Sequence, residues 1–123
     1  MLRADLKDIY FYTVSNKYEA QLAMLEPIYC LTLSLSIGIP DDISSDYFLV
    51  HVVNLNWVRY WVEKDKALLG EKTIIVDFDD FDDLEKELKF LVNSIEGETW
   101  EDILSKLRKY FDWEYENHKF VEC

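Results

Sequence analysis

The pattern of apolar and polar positions predicts a β-strand in four stretches of the chain. Residues 2–14 mix apolar and charged positions as an edge strand does, residues 28–37 and 73–78 follow as further strands, and residues 47–53 form a more fully buried one. The clearest one alternates Leu31, Leu33, Leu35 and Ile37 with Thr32, Ser34 and Ser36. That alternation predicts a strand with one face in water. The loop-like composition of residues 38–46 predicts an antiparallel pairing of the second and third strands.

Apolar positions spaced three and four residues apart predict two helices in the first part of the chain. Segment 15–27 forms the first helix and stops at Pro27, and segment 56–65 forms the second after Asn54 or Asn56 caps it. Their apolar stripes are Tyr18, Leu22 and Leu25, then Trp57, Tyr60 and Trp61. We expect Gly70 to end the second helical connection.

Two more helices are predicted after residue 78, and both carry strong apolar stripes. The stripes are Phe81, Leu84, Leu88, Leu91, Val92 and Ile95 in the first, and Trp100, Ile103, Leu104, Leu107, Tyr110 and Phe111 in the second. Gly97 is expected as a C-terminal cap, and Thr99 with Asp102 as a capping box. Trp57 and Trp100 share faces with apolar residues, which predicts core packing.

These elements predict one α+β domain over residues 1–123: an antiparallel sheet of about four strands, with the two C-terminal helices packed on one face. A chain of 123 residues that is 50% hydrophobic can bury a substantial core. Neither a signal peptide nor a stretch long enough to span a bilayer is recognisable, so we expect a cytoplasmic protein without membrane contact.

The net charge of the chain indicates which kinds of partner it can bind. The net charge is −12; residues 1–70 carry six Lys and Arg against nine Asp and Glu, whereas residues 71–123 carry seven against sixteen. Such a field repels nucleic acid and anionic membranes and speeds encounter with a cationic partner. We therefore expect a basic protein as partner and no nucleic acid.

The acidity is densest in residues 76–87, VDFDDFDDLEKE, where twelve positions hold seven carboxylates and one lysine. The first turn of a helix favours carboxylates by roughly 0.3–1 kcal/mol each, but one cap and one first-turn acid would satisfy it. The remaining carboxylates repel one another. Either the segment is a solvated helix start, as charge runs usually are, or it meets a partner.

A metal or catalytic role is the first alternative for this segment. The spacing does not fit an EF-hand loop, since Leu88 stands where that loop requires glutamate. The Asp77-x-Asp79 pair at a strand end resembles the nucleophile motif of haloacid-dehalogenase-like phosphatases, but Phe81 stands where that family has Thr or Val. No other catalytic or cofactor motif is present, and His51 and His118 have no recognisable orienting partner. We expect no enzyme, no metal and no cofactor.

One aromatic residue lies off the apolar stripe of the third helix. Phe90 is predicted either to meet the C-terminal segment or to stand exposed beside Asp83 and Glu87. An exposed aromatic side chain among acids is a plausible anchor for a partner protein.

Three runs, KTIIVDFDDFDDLEKEL, EGETWEDILSKLRKY and FDWEYENH, resemble the immunity protein 8 family of bacterial polymorphic-toxin and contact-dependent growth-inhibition systems. The matching features are the strand and acidic helix start at 74–77, the helix opening at 97–101 and the closing motif at 113–115. The tryptophans of the resemblance are Trp57, Trp100 and Trp113. Before Trp57 this chain has Leu55-Asn56 in a turn where the family usually has a proline. The resemblance covers roughly the last 75 residues well, and it covers the first 45 in length and strand pattern alone.

The resemblance implies a small cytoplasmic protein that binds and neutralises the C-terminal domain of a cognate toxin, without turnover. A nuclease toxin would offer a basic cleft to an acidic inhibitor. The residues expected on the toxin-binding surface are Asp77, Asp79, Asp80, Asp82, Asp83 and Glu87, with Asp41, Asp42 and Phe90 as further members. Two other functions stay open: a small metal-dependent enzyme or metal-binding domain using Asp77 and Asp79, and an acidic nucleic-acid mimic. The oligomeric state is not predicted.

Overall fold

The computed structural model describes residues 1–66 and 72–115, so Gly70 and His118 lie outside the described residues. The strands are β1 Leu2–Arg3, β2 Asp5–Phe11, β3 Cys30–Gly38, β4 Ser45–Asn54, β5 Thr73–Val76, β6 Glu96–Gly97 and β7 Asp112–Trp113. The helices are α1 Lys17–Met24, α2 Leu55–Asp65, α3 Phe81–Asn93 and α4 Trp100–Leu107. No helix among these residues is long and apolar enough to cross a membrane.

The main sheet has the order β2-β3-β4-β5, and β7 also pairs with β4. Strands β2 and β3, and β3 and β4, pair antiparallel, as predicted, and β2 lies at the edge. Strand β5 runs parallel to β4 and begins beside His51, and α2 lies in the connection between the two strands. The short β7 pairs antiparallel with Phe48 and Leu49, nearer the start of β4 than residues 51–54, which pair with β5. The α+β class is confirmed, whereas the parallel pair and β7 were not predicted.

One face of the sheet carries the core, and the two C-terminal helices pack there. The buried cluster joins β3 and β4 side chains to α3 and α4: Leu31, Leu33, Leu35, Ile37, Phe48, Val50, Val52, Phe81, Leu84, Leu88, Val92, Ile103 and Leu107. Helix α2 contributes no side chain to this cluster. Trp100 and Trp113 pack against the core, but Trp57 does not, because it lies on α2, where no residue is fully buried.

Three details of the helices differ from the prediction. Helix α1 turns Ala20 and Met24 inward, while Tyr18, Leu22 and Leu25 are exposed, because small Ala20 and flexible Met24 fit closely against the sheet. Gly97 does not cap α3; Ser94 does, and Gly97 pairs with Leu2 instead. Tyr110 is exposed because the chain leaves the helical path at Leu107.

The second face of the sheet is only partly exposed to solvent. Thr32, Ser34 and Ser36 are buried although they point away from the core cluster. Large side chains on the flanking strands cover these small residues, since Tyr10 and Leu49 are the register partners of Ser34. Hydrogen bonds satisfy the small residues: Ser36 Oγ lies 2.6 Å from Ser45 Oγ. The prediction that these residues face water was therefore wrong.

Candidate functional site

The acidic segment follows β5 and begins α3, and its backbone is held by three hydrogen bonds from outside the segment. The Gln21 side chain on α1 donates from Nε2 to the Asp79 carbonyl at 2.7 Å and accepts from Phe81 N–H at 2.7 Å. The Tyr29 hydroxyl donates to the Phe78 carbonyl at 2.6 Å. The turn is therefore held by α1 and by Tyr29, the residue before β3, and its side chains project from a defined position.

Two of the aspartates have local structural roles. Asp80 is the N-cap of α3, and its Oδ1 accepts from Asp82 N–H at 2.8 Å. Asp82 forms an ion pair with Lys17 of α1, with Nζ 2.5 Å from Oδ1, and Glu85 lies 3.9 Å from the same Nζ. The hydrogen bond and charge of Lys17 lower the pKa of the Asp82 carboxyl. These contacts explain part of the acidity by folding alone.

The remaining carboxylates form an exposed patch. Asp77, Asp79, Asp83 and Glu87 are all exposed, and no ion pair to any of them occurs within residues 1–66 and 72–115. We call the six predicted acids the acidic surface: Asp77, Asp79, Asp80, Asp82, Asp83 and Glu87. Burial raises the pKa of Tyr29 to about 12, with the charges of Asp77 and Asp79 adding to the effect. The negative potential of the patch therefore reaches the side chain beneath it.

Asp41 and Asp42 lie at the other end of the sheet from the acidic surface. They follow β3 beyond Gly38, which pairs with Ser45, whereas β5 delivers Asp77 beside Asn54. Nine residues of β3 separate these ends, roughly 25 Å at 3.3 Å per residue. Both aspartates are exposed, and Asp42 Oδ1 accepts from Ser44 N–H at 2.9 Å in a tight turn. The structure does not bring them into the acidic surface.

Phe90 is exposed over 72% of its surface, which agrees with one of the two predicted alternatives. It lies ten residues after Asp80, roughly 15 Å along α3. A shallow pocket of about 300 Å³ beside the ring is lined by Lys86, Lys89 and Asn93. Two lysines therefore lie beside the ring, so its surroundings are not uniformly acidic.

The other candidate chemistry is not assembled in the described part of the chain. No group of three or more His, Cys, Asp or Glu residues there could hold a metal ion. His51 lies on β4, where its Nδ1 is 2.9 Å from Thr32 Oγ1, so the ring is engaged with a strand neighbour. Asp77 and Asp79 are exposed, and the main sheet has one parallel pair, between β4 and β5. Within residues 1–66 and 72–115, Asp77 and Asp79 therefore belong to no group that could hold a metal ion.

A second concave feature lies on the sheet face opposite the core, and sequence reasoning missed it. We call it the tyrosine groove and define it by Tyr10, Tyr12, Ser34, Tyr47, Leu49 and Glu114; it encloses about 560 Å³. The signal was present in the sequence as Tyr10 and Tyr12 alternating on an edge strand. It could be read only with the pairing register, which places them beside the small residues of β3.

The sequence profile of the immunity protein 8 family matches residues 5–118 of this chain. No curated protein and no solved structure matches the sequence of this chain. The match spans more than nine-tenths of the 123 residues, including both helices and strands of the main sheet. The chain therefore belongs to the immunity protein 8 family, and this implies an immunity protein that acts against a toxin.

Proposed function

We propose that this immunity protein neutralises one cognate bacterial toxin by stoichiometric binding, and that its acidic surface meets a basic surface on the toxin. The observation that carries the proposal is the arrangement of the acidic surface. Its carboxylates project from a turn that Gln21 and Tyr29 hold in place. A rigid charged surface loses little entropy when a partner binds.

The surplus of charge supports a partner rather than a folding role. Asp80 caps α3 and Asp82 pairs with Lys17, so helix formation is already provided for. Asp77, Asp79 and Asp83 repel one another, and no ion pair within residues 1–66 and 72–115 offsets that repulsion. A basic protein surface relieves that repulsion on binding. The folded chain alone does not.

A nuclease toxin fits this chemistry best, because a cleft that binds phosphates must be basic. We propose that the toxin is the C-terminal domain of a polymorphic or contact-dependent inhibition toxin, and that the encounter takes place in the cytoplasm. The net charge of −12 then also serves to steer association, since long-range attraction raises the encounter rate. Inhibition by binding requires no reaction by the immunity protein itself.

The test is co-purification of the immunity protein with the C-terminal domain encoded by the adjacent toxin gene. We expect a one-to-one complex, loss of toxin activity at equimolar inhibitor, and an affinity that falls as salt rises. A complex whose affinity is indifferent to salt would remove the acidic surface from the interface. No complex at any salt would contradict the proposed function as a whole.

Two control measurements address the competing functions. Calorimetry with magnesium or calcium tests a metal-dependent role: micromolar stoichiometric binding that is lost in Asp77→Asn would contradict a purely binding protein. Inhibition assays against several unrelated DNA-binding enzymes test nucleic-acid mimicry, since a mimic inhibits many of them and an immunity protein only its cognate toxin. We expect neither metal binding nor broad inhibition.

A further inference from the structure

We infer that the tyrosine groove is a second recognition site, which receives a cationic side chain, arginine or lysine, from the bound toxin. The inference rests on the proposed function, because it assigns the occupant to the toxin. It concerns a different part of the molecule from the acidic surface: the groove opens on the sheet face opposite the core and is lined by β2, β3, β4 and the residue after β7.

The shape of the groove follows from the sizes of neighbouring side chains on three strands. The middle strand, β3, places Ser34 at the floor, where it is 5% exposed. Tyr10 on β2 and Tyr12, the residue after β2, form one wall, and Tyr47 with Leu49 on β4 forms the other. The Tyr10 and Tyr47 rings meet edge to face, with centroids 5.9 Å apart. Small residues between aromatic ones leave a concave surface rather than a flat sheet face.

The tyrosine rings remain accessible at the groove. Tyr10 is 45% exposed, Tyr12 62% and Tyr47 43%, so part of each side chain remains accessible to a partner protein. Tyrosine is common at protein interfaces because its ring contributes large contact area while its hydroxyl tolerates water. The face of a tyrosine ring also attracts an ammonium or guanidinium group within about 6 Å of its centroid.

Charge selects a cation over an apolar or anionic occupant. The groove is lined by the carboxylate-bearing Glu114 and by no lysine or arginine among the described residues. The backbone of Glu114 donates to the Tyr47 carbonyl at 2.9 Å, and its Oε1 accepts from Tyr47 N–H at 3.1 Å. These two bonds hold the carboxylate at the rim. A carboxylate fixed beside aromatic faces is a receptor for a cationic side chain.

Neighbouring groups strengthen the negative potential. Asp8 lies on the same strand as Tyr10, and its charge, together with burial and Tyr47, raises the pKa of the Tyr10 hydroxyl. Asp46, beside Tyr47, accepts a hydrogen bond from the Trp113 indole N–H at 3.3 Å. Asp8 lies on the same face of β2 as Tyr10, two residues away, and borders the groove, whereas Asp46 pairs with Ile37 on the core face of β4. The same potential would repel a phosphate or an acidic peptide.

The direct test titrates the full chain with N-acetyl-arginine amide as the probe and with N-acetyl-citrulline amide as its uncharged isostere. Binding of each probe is measured by NMR. We expect the arginine probe to shift the ring signals of Tyr10 and Tyr47 in a saturable way, and the citrulline probe to shift them at least tenfold less at equal concentration. Equal shifts with both probes, or no shifts with arginine, would overturn the cation preference.

Two variants locate the interaction. Glu114→Gln removes the charge but keeps an oxygen that can accept from Tyr47 N–H, so the fold should persist while arginine-induced shifts fall severalfold. Tyr10→Leu/Tyr12→Leu removes one aromatic wall. Tyr18→Leu, a change at an exposed tyrosine of α1 outside the groove, serves as the matched control. Undiminished shifts in both groove variants would contradict the assignment even if arginine binds elsewhere.

The toxin arm separates this inference from the proposed function. Against the toxin domain, we expect Tyr10→Leu/Tyr12→Leu to raise the dissociation rate at least fivefold, and Tyr18→Leu to leave it unchanged. If both variants bind like the wild type, the groove is not in the interface and the proposed function still stands. If the wild type itself fails to bind, the proposed function fails, and the arginine titration alone decides the chemistry of the groove.

Discussion

Removing two charges from the acidic surface should slow association with the toxin without disturbing the fold. The variant is Asp77→Asn/Asp79→Asn, because both side chains are exposed and neither has the structural role of Asp80, the N-cap, or Asp82, the partner of Lys17. The backbone bonds that fix the turn involve carbonyl and amide groups, which the substitutions leave in place.

The expected size follows from Coulomb's law in water. One unit charge at about 6 Å from a charge on the partner contributes about 0.7 kcal/mol at the dielectric constant of water. Two such charges contribute about 1.4 kcal/mol, or about a tenfold change in association rate at low salt. At about 1 M salt the Debye length falls to about 3 Å, so the difference between variant and wild type should disappear.

The matched control is Asp41→Asn/Asp42→Asn, which removes the same charge from two exposed aspartates at the opposite end of β3. Asparagine suits the left-handed backbone of Asp41, where φ is 68°. Association rates of wild type and both variants are measured by stopped-flow mixing over a salt series. Equal rates for the two variants at low salt would refute the placement of the interface, because total charge rather than its position would then determine the rate.

An internal check on the Asp77→Asn/Asp79→Asn variant comes from Tyr29. Burial is the main reason that its pKa is raised to about 12, and the two aspartates are the other causes. Removing their charges should lower the Tyr29 pKa part of the way toward its ordinary value of 10.0, since burial remains. An unchanged Tyr29 pKa, followed by its ring signals in NMR, would show that the aspartates do not act on this hydroxyl.

Three further predictions concern stability. Leu84→Ala, at a fully buried position of α3, should lower the free energy of unfolding by about 2–5 kcal/mol, whereas Leu22→Ala, at a residue 47% exposed, should change it by less than about 0.5 kcal/mol; urea unfolding compares them. Gly97→Ala should cost about 1–3 kcal/mol in the same assay, because a Cβ there would lie 2.7 Å from a side-chain carbon in the first turn of α4. The pKa of Tyr29 is about 12 in the folded chain and 10.0, its ordinary value, in the unfolded chain, so its contribution to stability is present below pH 10 and is lost as pH rises to about 12. Tyr29→Phe should lack this part of the pH dependence of stability. Identical pH profiles for the variant and the wild type would contradict the prediction.

The sequence predicted helix α3 and the elements around it well, because local signals determine them. The apolar stripe of Phe81, Leu84, Leu88 and Val92 is buried as expected. The Thr99 hydroxyl accepts from Asp102 N–H at 3.2 Å and caps α4 as predicted. Spacing and capping depend on residues within one turn, so a single sequence contains the information.

Long-range features were not predictable in the same way. The parallel pairing of β5 with β4 depends on where α2 returns the chain, and nothing local in TIIV distinguishes a parallel from an antiparallel partner. Which face of α1 is buried depends on the space left by α3, and that space favours Ala20 and Met24 over the larger Tyr18. The burial of Ser34 depends on a register that pairs it with Tyr10. Each of these facts needs the pairing of distant segments.

The candidate site divides along the same line. Exposure of the acidic side chains could be predicted, because charged residues at a helix start rarely lie inside. Their separation from Asp41 and Asp42 could not, since it depends on the direction of β3 relative to β5. The tyrosine groove is assembled from β2, β3, β4 and Glu114, which are far apart in the chain. A charge run is visible in one segment, whereas a groove requires several.

The acidic surface and the tyrosine groove suit different stages of binding. Exposed charges act at long range and are screened by salt, so they govern how fast the partners meet. Aromatic rings beside a fixed carboxylate act at contact distance and govern how slowly the partners separate. If both surfaces serve one toxin, charge variants should change mainly the association rate and groove variants mainly the dissociation rate. A groove variant that slowed association while leaving dissociation unchanged would contradict this division of roles.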